Sequence, residues 1–162
     1  MPRLRVATWL LPAIATLWLA PPAHADTTSF SDPRGDAPVR FDLTRTTITN
    51  GQERVVVKQQ VRDLRGSGSQ IFGFNVVAGS EALVVQTIRR GNGAVTVRVI
   101  GERECAGVRA SWRIASDEIR FSMPRDCIGQ DGAIRVSTLI GAGDGTAGDP
   151  ADCTKAVRVD QS

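Results

Sequence analysis

The chain has 162 residues, a formal charge of +3, three cysteines, no tyrosine and a single histidine. This length suits one domain, and so few histidines and cysteines argue against zinc chemistry and histidine-assisted nucleophiles. The small net charge provides no broad basic field that would attract nucleic acid.

The N-terminal 25 residues have the pattern of a secretory signal peptide. Two arginines precede an apolar run from residue 6 to residue 20, and residues 23–25, Ala-His-Ala, form a small-x-small cleavage site. We expect cleavage before Asp26 and secretion to an extracellular, oxidising space; an uncleaved membrane anchor is the alternative. The mature chain then has 137 residues (162 − 25), no histidine and a charge of +1 (18 − 17). We therefore expect no nucleic acid or membrane partner after cleavage.

Alternating apolar and polar residues, which are typical of β-strands, dominate the rest of the chain. Residues 26–38 read as a polar arm, and residues 39–162 as one β-sandwich domain with a Gly/Asp-rich loop at 141–152. The first strand covers 39–49 and needs a bulge near Thr44, because the parity of its apolar residues changes there. Further strands are predicted near 54–62, 71–78, 83–89, 95–99, 108–114, 119–123 and 134–140, with a possible edge strand at 156–159. This pattern predicts an all-β, antiparallel β-sandwich of about eight strands.

The cysteines test this strand assignment. Cys105 and Cys127 lie at matching distances on either side of the predicted hairpin turn at 115–118. Antiparallel pairing brings both to the open end of the hairpin, within the Cα separation of about 7 Å that a disulfide allows. We predict a Cys105–Cys127 disulfide and a leftover thiol at Cys153. The leftover thiol is either inert or pairs with another chain.

The candidate metal ligands are aspartates in two loops. Asp32 and Asp36 flank Gly35 before the first predicted strand, and Asp42 follows closely. The aspartates of the late loop are Asp144, Asp149 and Asp152. Calcium binds carboxylate and carbonyl oxygens in such loops, and the two loops can share an ion if they meet at one end of the sandwich. We name Asp32, Asp36, Asp144 and Asp149 as calcium ligands; the alternative is that they only initiate turns.

Four arginines alternate with apolar residues in the later strands: Arg109, Arg113, Arg120 and Arg135. They predict an arginine-lined sheet face that binds an anionic glycan or a phosphate-bearing polymer; an ordinary solvated face is the alternative. Most aromatic residues fall at apolar positions and are assigned to the core. A mature chain without histidine predicts no catalytic residues, with carboxylate-based hydrolysis as the one exception.

Several motifs occur in a suggestive order: Asp-Pro-Arg-Gly-Asp at 32–36, Phe-Asp-Leu at 41–43, Val-Arg-Asp-Leu at 61–64, and Cys105 followed by Pro-Arg-Asp-Cys-Ile-Gly at 124–129. In these motifs the chain resembles a group of small, mostly uncharacterised secreted β-sandwich proteins of actinobacteria. The resemblance implies a Cys105–Cys127 disulfide and implies no activity. Cys153 departs from the pattern of the group.

These observations predict a secreted, non-enzymatic module that binds cell-wall glycan or another extracellular polymer. The alternative is a structural or protein-interaction module that dimerises through Cys153. No cofactor other than calcium is expected.

Overall fold

The computed structural model describes residues 26–66, 68–102, 104–129, 132–143 and 152–161, and within these it contains eleven strands. In chain order they are β1 (Asp26–Ser31), β2 (Leu43–Asn50), β3 (Arg54–Val61), β4 (Gln70–Ala78), β5 (Glu81–Arg89), β6 (Val95–Gly101), β7 (Arg109–Arg113), β8 (Glu118–Pro124), β9 (Ile134–Ala142), β10 (Asp152–Cys153) and β11 (Val157–Val159). Short 3-10 helices occupy Ile114–Ser116 and Arg125–Ile128.

The strands form two antiparallel sheets that pack face to face. The first sheet has the order β1-β2-β3-β8-β7, and the second has the order β10-β9-β4-β5-β6, with β11 also paired to β9. Alternating side chains of both sheets point inward, as the period of two requires. The antiparallel β-sandwich predicted from the sequence is confirmed.

Aromatic side chains fill the centre of the core between the sheets. Phe72 meets Trp112 edge-on, with ring centroids 4.9 Å apart, and Phe74 meets Phe121 in the same way at 5.3 Å. Trp112 is partly buried, and its indole N–H donates a hydrogen bond to the hydroxyl of Thr87 (3.0 Å). The prediction that most aromatic residues belong to the core is confirmed.

The start of the domain differs in part from the prediction. The expected bulge is present, because the register between β2 and β3 shifts between Leu43 and Arg45. The segment predicted as a polar arm contains strand β1, which pairs over its whole length with residues 45–50 of β2. Its outward hydroxyls bond across the strands, from Ser29 to Thr47 at 2.6 Å for example. A strand of serines and threonines lacks the apolar alternation that identified the others.

Candidate functional site

Three carboxylates converge where the β1–β2 loop meets strand β10. We call Asp32, Asp36 and Asp152 the acidic cluster; one carboxylate oxygen from each lies within 4.8 Å of the others. The backbone positions Asp32, whose N–H donates to the carbonyl of Thr44 (3.2 Å). Asp152 is buried and accepts a hydrogen bond from the N–H of Leu43 (2.8 Å), which joins β10 to the start of β2. Residues 120 positions apart in sequence therefore share one acidic site.

A fourth aspartate, Asp42, lies beneath the same loop. It is fully buried, and its Oδ2 accepts the N–H of Gly35 (2.9 Å). Gly35 has φ +86°, a conformation that side chains with a Cβ rarely adopt, so glycine allows this turn. The same Oδ2 lies 3.5 Å from the guanidinium of Arg62. Asp42 thereby fixes the loop that carries Asp32 and Asp36.

The acidic cluster is electrostatically unfavourable when its members are all ionised. Burial, followed by the charge of Asp152, raises the pKa of Asp32 from 3.8 to about 6. Asp36 and Asp42 add to this shift. Burial also raises the pKa of Asp152, against the opposing effect of its hydrogen bond from Leu43. Such a site favours either a shared proton or a bound cation.

The structure brings together part of the predicted calcium set. Asp32 and Asp36 lie side by side, as expected, and the late segment meets them through Asp152. Asp144 and Asp149 lie outside the described residues. Asp152 was noted in the late loop but was not among the predicted ligands, because its place opposite Leu43 depends on how the two sheets pack.

The outer face of the first sheet is strongly cationic. Among the strand residues that the structure describes on this face, six are basic and only Glu118 is acidic. We call the six basic residues the cationic face: Arg45, Arg54, Lys58, Arg109, Arg113 and Arg120. Lys58 stands directly opposite Arg120 in the β3–β8 register. Like charges in directly opposed positions destabilise a sheet unless an anion lies near them.

Most of this positive charge is not neutralised by neighbouring acids. Arg113 lies 3.5 Å from Glu118. Arg54 is used structurally, since its guanidinium donates to the hydroxyl and the carbonyl of Ser122 (2.6 and 2.9 Å). Within the described residues, no ion pair joins Lys58, Arg109 or Arg120 to an acid.

The structure places three of the four arginines predicted to form one surface on the same sheet face. Arg109, Arg113 and Arg120 share the outer face of the first sheet, on β7 and β8. Arg135 is on β9 in the second sheet, so its grouping with the others was wrong. The shared parity that grouped them identifies outward residues but does not say which sheet carries them. Strand order also supplies the members that the sequence did not reveal: Arg45, Arg54 and Lys58.

The cysteines are arranged as predicted. Cys105 and Cys127 form a disulfide with a Cα–Cα distance of 5.1 Å, at the open end of the β7–β8 hairpin. Cys153 is a free, exposed thiol in the described part of the chain, on the short strand β10. The disulfide ties the β6–β7 connection to the 3-10 helix at Arg125–Ile128.

Comparison with known proteins found no matching family model, curated protein or solved structure. The resemblance to actinobacterial secreted proteins therefore stays a prediction. No helix among the described residues is long and apolar enough to span a membrane.

Proposed function

We propose that this protein is an exported, non-enzymatic β-sandwich module that binds an anionic extracellular polymer on its cationic face. The observation that carries the proposal is the opposition of Lys58 and Arg120, with Arg109 and Arg113 nearby on β7. The signal-peptide pattern of the first 25 residues supports export. A cell-wall glycan that bears phosphate or carboxylate groups has the required charge.

The layout of the face favours a polymer over a single small anion. Arg120 stands beside Lys58 on one neighbouring strand and diagonal to Arg109 and Arg113 on the other. Neighbouring strands lie about 4.8 Å apart, and Arg109 and Arg113 are roughly 13 Å apart along their strand. Repeated charges on one flexible chain can occupy several of these positions, so each contact raises the effective concentration for the next.

The test uses protein secreted from the full-length chain in an exporting host, so that N-terminal sequencing also checks cleavage before Asp26. Poly(glycerol phosphate) is the probe, with neutral dextran as the uncharged polymer. The Lys58→Gln/Arg120→Gln double variant should bind poly(glycerol phosphate) roughly 2- to 30-fold more weakly, because each screened surface attraction contributes about 0.2–1 kcal/mol and two are removed. Arg135→Gln is the matched control, since this exposed arginine lies on the other sheet, and its affinity should be unchanged.

Binding to poly(glycerol phosphate) should also weaken steeply between 50 and 300 mM NaCl, since the Debye length shortens over this range. Equal affinity of the double variant and the wild type would contradict the proposal. So would equal binding of dextran and poly(glycerol phosphate).

A second candidate function is a structural or protein-interaction module that dimerises through Cys153. The observation that favours it is the exposure of this thiol on β10, at the edge of the second sheet, where a partner strand has access. Non-reducing electrophoresis and size-exclusion chromatography of the secreted protein should then show a dimer that reductant or Cys153→Ser abolishes. A monomer under oxidising conditions would rule this function out.

A further inference from the structure

A buried carboxylate oxygen beside the acidic cluster has no partner. Asp42 is fully buried, and while its Oδ2 accepts the N–H of Gly35, no hydrogen-bond donor among the described residues reaches its Oδ1. The charge of Asp42 acts on Asp32, and Oδ2 of Asp32 is likewise buried without a partner. Arg62 lies 3.5 Å from Oδ2 of Asp42, but a buried carboxylate oxygen without a hydrogen-bond donor remains costly, so a cation near Oδ1 of Asp42 and Oδ2 of Asp32 would lower that cost.

The carboxylate oxygens of the cluster lie close enough together to share one divalent cation. Oxygens of Asp32, Asp36 and Asp152 all lie within 4.8 Å of one another. Calcium–oxygen distances are about 2.4 Å, so two ligands on opposite sides of one ion stand roughly 4.8 Å apart. Three such oxygens can therefore contact one ion.

We propose that a calcium ion binds at the acidic cluster, held by Asp32, Asp36 and Asp152, with Asp42 supporting the loop beneath it. The donors are all carboxylate oxygens, which calcium prefers and which suit zinc poorly. The exposure of Asp36 leaves room for water molecules to complete the six to eight ligands that calcium takes. Asp144 and Asp149 are not needed in this set.

The ion would stabilise the junction of the two sheets. Asp32 and Asp36 belong to the loop between β1 and β2 of the first sheet, and Asp152 belongs to β10 of the second. The hydrogen bond from Leu43 to Asp152 is the direct link between the sheets at this point. A ligand that binds only the folded chain raises its stability by mass action, so calcium should raise the melting temperature.

The experiment measures thermal unfolding and calorimetric binding of the full secreted chain with CaCl2, with MgCl2, and with EDTA, all at pH 7.5 and matched ionic strength. At 100 times the Kd, calcium should raise the Tm by roughly 5 °C or more relative to EDTA. Asp36→Asn should abolish both this rise and the calorimetric signal. Because Asp36 is exposed, this variant should still fold, and its Tm in EDTA checks that. Asp160→Asn, which removes an exposed aspartate paired with Arg158, is the matched control and should keep the full response.

Two results would overturn the proposal. One is a wild-type chain that gives no calorimetric signal and no change in Tm at 10 mM CaCl2. That result would indicate that the carboxylates of the cluster share a proton and do not bind calcium. The other is an equal calcium response in wild type and Asp36→Asn. Neither result bears on polymer binding, because Asp36→Asn leaves the cationic face intact and should bind poly(glycerol phosphate) as the wild type does.

Discussion

Removal of the Cys105–Cys127 disulfide should lower the free energy of unfolding by about 3 kcal/mol. The two cysteines are 22 residues apart, and the chain-entropy model gives roughly 3 kcal/mol for closing a loop of this length in the unfolded chain. Cys127 also belongs to the core, with 6% of its surface exposed. Replacing both cysteines with alanine therefore adds a small loss of packing to the entropic effect, so 3 kcal/mol is the lower bound that we expect.

Urea unfolding followed by tryptophan fluorescence measures this change. Trp112 is the only tryptophan after residue 25, and its contacts with Phe72 and Thr87 bridge the core, so its emission reports on global unfolding. At a slope of about 2 kcal/mol per molar urea, the midpoint should fall by roughly 1.5 M. The Cys153→Ser variant controls for loss of a thiol and should unfold like the wild type. An unchanged urea midpoint in the double alanine variant would refute the reasoning, because the disulfide would then not restrict the unfolded chain.

Two other predictions concern packing and pH. A Cβ added at Gly73 would lie 2.6 Å from the carbonyl oxygen of Val85, so Gly73→Ala should cost about 2 kcal/mol by forcing β4 away from β5. Gly91→Ala, where a Cβ would meet no atom within 4 Å, is its control, and equal melting temperatures of the two variants would contradict the prediction. The folded chain raises the pKa of Asp32 from 3.8 to about 6, so it binds that proton more tightly than the unfolded chain does. In EDTA, the free energy of unfolding of the wild type should therefore fall as pH rises from about 4 to above 6, and that of Asp32→Asn should fall less. Equal pH dependence of the wild type and Asp32→Asn would contradict this prediction.

Local pattern was enough to predict much of the fold. The bulge near Thr44 follows from a change of parity within one strand, and the Cys105–Cys127 disulfide follows from counting along one hairpin. Strand β1 could not be recognised in this way, because serine and threonine occupy most of its positions and break the apolar alternation that marks the other strands. What sequence periodicity lacks is strand order. Only the pairing of β3 with β8 brings Lys58 opposite Arg120.

The same limit applies to the acidic cluster. Asp32 and Asp36 were identifiable because they flank a glycine in one short loop. Asp152 joins them only because β10 pairs with the end of β9 while its side chain reaches Leu43 in the other sheet. A contact between residues so far apart in sequence depends on the docking of two sheets, which alternation within single strands does not describe.

Net charge conceals how the charges of this protein are distributed. The segment after residue 25 has a charge of only +1, yet six basic residues share one sheet face while four aspartates gather at the β1–β2 loop. Because the Debye length is about 8 Å at physiological ionic strength, a partner responds to the face it meets and not to the total. Positive charge alone would suit nucleic acid as well as a wall polymer.

The side chains between the charges decide between these polyanions. Proteins that hold single-stranded nucleic acids stack the bases on exposed aromatic rings. On the outer face of the first sheet, the strand residues between the basic ones are serine, threonine, glutamine, valine, proline and Glu118, and no aromatic residue occurs among those described. The aromatic residues Phe72, Phe74, Phe121 and Trp112 are used in the core instead. A face with charge but without stacking surfaces fits a polymer of phosphates or carboxylates on a sugar or polyol chain better than a single-stranded nucleic acid.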